Sequence, residues 1–145
     1  MSHNSDLQLA TDLRIVVTRL VKKLRKKSVT GQQLSLTERS SMALLLQHKQ
    51  LLPSELASME KITNQSMSQI LNYLLKLGYI SRNPSLEDKR KVFISLTETG
   101  EKMILQMRSE RDEWLARAIE ELCTREDEAS LKQAIGTLTK LVDYD

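Results

Sequence analysis

The hydrophobic period of this chain changes partway along, and the place where it first changes restricts the fold more than any other feature. Met67, Ile70, Leu71, Leu74 and Leu77 form a stripe at helical spacing. Thr63 stands where a helix cap belongs, and Gly78 can end the helix in the left-handed conformation. A shorter helix precedes it, starting at Pro53, which suits a first helical position, and running to about Lys61. It is expected to bury Leu56, Ala57 and Met59. Only Ile62 and Thr63 separate the two, which is the spacing of a helix-turn-helix. Just past Gly78 the residues turn β-branched and aromatic. Tyr79-Ile80-Ser81-Arg82 and Val92-Phe93-Ile94-Ser95-Leu96 flank a polar stretch, Asn83 to Lys91, as in a hairpin with a long loop. A helix-turn-helix followed directly by a hairpin is a winged helix.

Long amphipathic helices flank this unit. From about Asp6 to Lys27, Leu9, Leu13, Val16, Leu20 and Leu24 share one face, which Ile15, Val17 and Val21 widen. The run Lys22 to Lys27 suits the negative end of that helix. Thr37, with Glu38 in the first turn, reads as the cap of a second helix that buries Met42, Leu45 and Leu46 and stops near His48-Lys49. Leu51-Leu52 is long enough only for a connector or a single β-bridge. After Thr97 a helix of about 25 residues carries Ile104, Met107, Trp114, Leu115, Ala118, Ile119 and Leu122. Thr124, with Asp127 three residues on, caps a last helix expected to bury Leu131, Ile135, Leu138 and Val142. The fold class is therefore mainly α with a small β-hairpin wing.

Charge and composition narrow the function. Residues 1–50 hold nine Lys/Arg against three Asp/Glu, whereas residues 97–145 hold seven against twelve. A basic front and an acidic rear suit a protein that meets a polyanion with one part only. Five aromatic residues (Tyr73, Tyr79, Phe93, Trp114, Tyr144) are too few for a single-strand binder that stacks bases. One cysteine, Cys123, excludes an internal disulfide and a multi-cysteine zinc site, and neither His3 nor His48 sits in metal-ligand spacing. No phosphate-cradling glycine loop or nucleophile motif points to an enzyme. No apolar run reaches a membrane span, and the N-terminus lacks the pattern of a signal peptide, so an intracellular protein without cofactor is expected.

Several segments, in order and at matching spacings, resemble the MarR (multiple antibiotic resistance regulator) family: Leu36-Thr37, Pro53-Ser54-Glu55-Leu56-Ala57, Ile62 to Gln69, Leu77-Gly78-Tyr79-Ile80-Ser81-Arg82, Asp88-Lys89-Arg90-Lys91, and Ile94-Ser95-Leu96-Thr97-Glu98-Thr99-Gly100. The resemblance implies one domain, 1–145, with a winged helix-turn-helix DNA-binding core at 36–100. Residues 6–28 and 101–145 would then form dimerisation helices. It further implies a bacterial, cytoplasmic transcription regulator, a repressor that binds an inverted repeat of double-stranded DNA as a homodimer. Many members release DNA when a small phenolic or other aromatic anion enters a cleft between the dimer helices and the winged helix. Some members sense oxidants through a cysteine in the first helix; Cys123 does not match that position and reads as structural.

The recognition helix would turn Asn64, Gln65, Ser66, Ser68, Gln69 and Asn72 toward DNA, where amides suit adenine. Gln69 stands where the family often has arginine. Ser54, at a helix start, can hydrogen-bond a phosphate. Arg90 matches the family's minor-groove arginine, with Lys89 and Lys91 beside phosphates. Asp88 is expected to anchor the wing by pairing with an arginine such as Arg82. A winged-helix protein-interaction module is the competing reading, although it gives no reason for the basic wing.

Overall fold

The computed structural model describes residues 2–145. Its elements run α1 (His3–Lys27), α2 (Leu36–His48), β1 (Gln50–Leu51), α3 (Pro53–Glu60), α4 (Asn64–Lys76), β2 (Ile80–Pro84), β3 (Val92–Leu96), α5 (Glu98–Leu122) and α6 (Arg125–Val142). The strands form one antiparallel sheet in the order β1-β3-β2. Ile80 faces Leu96 and Pro84 faces Val92 in the hairpin, while Leu51 of β1 pairs with Ile94. The segment Gln50–Leu51 is thus a true short strand that closes the sheet against α2.

Most termini follow the side chains available to them. Thr63, Thr97 and Thr124 each accept a backbone N–H from the first turn of α4, α5 and α6. Thr124 and Asp127 complete a capping box. The helix α2 departs from expectation. Its cap is Ser35, whose hydroxyl accepts from Glu38 N–H at 3.1 Å, while the Glu38 carboxylate accepts from Ser35 N–H at 2.7 Å. Thr37 lies inside the helix because Ser35-x-x-Glu38 satisfies two end groups at once. The α1 helix also begins earlier than Asp6, at His3, with Ser2 as its cap.

One dry core joins α2, α3, α4, the sheet and the first half of α5. Leu34, Met42, Leu56, Met67, Leu74 and Met107 are each 0% exposed within it. Met59, expected inside, is 44% exposed because it falls on the outer side of α3. Gly100 lets α5 lie directly on the wing's base, since a Cβ there would collide with the backbone carbonyl of Tyr79.

The outer helices differ. Neither α1 nor α6 contains a buried residue. Leu131, Ile135 and Val142, expected to be buried, are exposed, and Leu138 is half-buried. Leu9, Val16 and Leu20 are exposed as well. Within one chain α1 packs on α5, and no element packs extensively on α6. No helix among the described residues is long and apolar enough to cross a membrane.

Candidate nucleic-acid interface

Two short helices and a hairpin converge on one face. The α3 helix ends at Lys61, whose left-handed backbone (φ 56°) turns the chain tightly, and Ile62 N–H returns to the Ala57 carbonyl at 3.0 Å. Thr63 then starts α4, anchored below by buried Met67, Leu71 and Leu74. This burial forces the opposite side of α4 outward. Asn64, Gln65, Ser66, Ser68, Gln69 and Asn72 are all exposed.

A groove of about 500 Å³ brings several predicted residues together. It is lined by Leu52, Pro53, Ser54, Asn64, Ser68, Arg90, Lys91 and Val92. The start of α3, the start of α4 and the base of the wing therefore share one surface. Lys89 is exposed on the wing loop, outside this groove. Ser66 contributes less freely than its neighbours, because its N–H and hydroxyl are both engaged by the Thr63 hydroxyl, each at 3.0 Å.

The wing is braced differently from expectation. Asp88 pairs with Arg90, not Arg82: Arg90 Nε lies 3.2 Å from Oδ1, and Arg90 N–H donates to the same oxygen at 3.1 Å. A partner two residues away costs less chain ordering than one across the hairpin. The hydrogen bonds from Arg90, side chain first and backbone second, hold the Asp88 carboxyl below its ordinary range. The Arg90 side chain itself remains 92% exposed. Arg82 instead donates from Nη2 to Asn72 Oδ1 at 2.7 Å.

Sequence reading missed Arg39. It is 4% exposed, beside Met42 on the inner side of α2. The spacing Arg39, Met42, Leu46 was the available signal, since three and four residues return a helix to the same face. Its Nη2 donates to the Gly31 carbonyl at 2.9 Å, while Nε and Nη1 have no partner. Burial first, then the charges of Arg25 and Arg111, hold its pKa below the usual arginine value. A cleft of about 410 Å³ between α1 and α2 is lined by Lys22, Arg25, Lys26, Gln32 and Arg39. No group of acidic, His and Cys residues fit to hold a metal occurs among the described residues.

Comparison with known proteins agrees with this geometry. The MarR family model matches residues 34–92. An HTH-type transcriptional regulator of Mycobacterium tuberculosis is 31% identical over 140 residues, covering 97% of this chain and 96% of that protein. The crystal structure of a putative transcriptional regulator from Pseudomonas aeruginosa is 30% identical with a TM-score of 0.81, covering 98% of this chain and 99% of that one. A MepR mutant of S. aureus bound to an oligodeoxyribonucleotide shares the fold, with a TM-score of 0.70 at 19% identity over 93% of this chain and 98% of that one.

Proposed function

The chain belongs to the MarR family, and from that premise we propose a homodimeric, cytoplasmic repressor that binds an inverted repeat and releases it on binding a small aromatic anion. That it is a DNA-binding transcriptional regulator, and not an enzyme, follows from the family and its relatives. The observation that carries the DNA reading is the shared groove, where Ser54, Asn64, Ser68, Arg90 and Lys91 meet. The amides and hydroxyls of α4 (Asn64, Gln65, Ser66, Ser68, Gln69 and Asn72) face the major groove and read base edges. Arg90 reaches the minor groove, and Lys89, Lys91 and Ser54 meet phosphates.

The exposed apolar residues of α1 and α6 support the dimer, because a second copy would cover them. Two recognition helices about 34–36 Å apart then select half-sites 10–10.5 bp apart. Ligand control is supported by Arg39, which borders a basic cleft and whose Nε and Nη1 lack a partner. An aromatic carboxylate there would gain a charge-assisted hydrogen bond.

Selection of bound sequences from random duplex DNA tests this function. One enriched inverted repeat, lost or weakened in Arg90→Ala, is expected. Salt-sensitive binding without enrichment would defeat the specific-regulator reading, and no duplex binding at low salt would favour an interaction module. Benzoate should weaken operator binding by the wild type and not by Arg39→Met; an equal effect on both would remove Arg39 from ligand control. Sedimentation of Ile135→Asp should show monomer where the wild type sediments as a dimer.

A further inference from the structure

The hydrogen bond between Arg82 and Asn72 joins the base of the wing to the outward face of the recognition helix. Asn72 lies seven residues after Gln65 and four after Ser68, so it continues the face proposed to read bases. Its carboxamide torsion is ordinarily broad and two-fold, leaving a free asparagine to offer either oxygen or nitrogen. Arginine removes that choice. A guanidinium has only donors, so the amide atom facing it must be Oδ1, and Nδ2 becomes the group left free. Arg82 is in turn held by its strand, where it stands opposite Ile94 in the β2–β3 register. It has no carboxylate partner, since the ion pairs among the described residues are Arg90–Asp88 and Lys102–Glu98.

We propose that Arg82 is a positioning residue for specificity: it fixes the Asn72 amide so that Nδ2 donors, rather than the carbonyl, face the operator. Asn72 then favours an acceptor edge, such as purine N7, guanine O6 or thymine O4, over the paired donor–acceptor contact that asparagine makes with adenine. This rests on the reading of duplex DNA by α4 proposed above.

Two measurements test it. The first needs no DNA. In the free protein, the Nδ2 protons of Asn72 should give a resolved NMR pair that moves to the position of a free asparagine in Arg82→Ala, with the remaining spectrum unchanged. An unmoved pair would overturn the proposal. The second measures affinity for the selected operator and for variants substituted at each base. Arg82→Ala and Asn72→Ala should lose discrimination at the same base, by about fivefold or more, and the double variant should lose no more. A uniform loss for every sequence in Arg82→Ala, with the salt slope reduced by about 1, would make Arg82 a phosphate contact instead. Unchanged discrimination in either single variant would also overturn it. A wild type that enriches no sequence defeats the sequence-specific DNA reading itself, and the NMR result then stands apart from it.

Discussion

The winged helix and the helices that flank it solve the burial problem in opposite ways. Under α4, Met67, Leu71 and Leu74 join Leu56 and Ile94 in a core from which water is excluded. Along α6, Leu131, Ile135, Leu141 and Val142 face outward over the same kind of helix, capped as well as any in the chain. Local signals therefore decide where helices form, while the neighbour available decides whether the apolar face is used. The winged helix carries its own neighbours. Within one chain α6 has no such neighbour and its apolar residues stay exposed; in the proposed dimer a second copy covers them.

Substitutions can break this contrast. Met67→Ala, which opens a cavity beneath α4, should cost about 2–5 kcal/mol in urea unfolding at any protein concentration. Leu131→Ala should cost as much only where the protein is dimeric. An equal cost at high dilution would mean that α6 is covered within its own chain. The two glycines inside helices sharpen the point. Gly100→Ala should destabilise by about 1–3 kcal/mol, because its Cβ strikes the Tyr79 backbone, which cannot yield as a side chain would. Gly136→Ala meets nothing within 4 Å and should gain up to about 1 kcal/mol from helix propensity. A loss there, read as a lower melting temperature, would place a second copy against Gly136.

A smaller effect separates the two candidate caps of α2. Ser35→Ala should cost about 1 kcal/mol in chemical unfolding, and Thr37→Ala distinctly less. The smallest effect concerns pH. Asp88 has a folded pKa below its ordinary value of 3.8, so its contribution is complete above that value and is lost as the pH falls through the lowered one. The Asp88→Asn variant should remove this dependence, and the Arg90 side chain should then show no acid-dependent NMR shift.

Much of this was legible in the sequence because it is local. Thr63, Thr124, Gly78 and the apolar stripe of α4 each act within a few residues of themselves, and so did the change of period at Tyr79. The exceptions involve choices among equals. Ser35 and Thr37 are both capping residues, and only the reciprocal bond from Glu38 separates them. Asp88 had several arginines to choose from, and side-chain reach selected Arg90 over Arg82. Arg39 was passed over because arginine is expected outside; its place beside Met42 on α2 was the contrary sign. The grouping of Ser54 with Asn64 and Arg90 depends on how three elements meet, which no local spacing encodes.

The contact at Gly100 has a mechanical side. Thr97 donates its hydroxyl proton to the Gly78 carbonyl at 2.6 Å, and its N–H to the Tyr79 carbonyl at 3.0 Å. With Gly100 pressed on the same backbone, the start of α5 is clamped to the end of α4 and the root of the hairpin. The 25 residues of α5 then form a rod about 37 Å long, fixed at the end that meets the winged helix. A rotation of ~5° about the rod's far end carries its clamped end, and α4 with it, through ~3 Å at that length. That displacement is close to the rise of one base step, about 3.4 Å. In the proposed dimer on DNA, the clamp would convert a small angular adjustment between flanking helices into a whole-register error on the duplex.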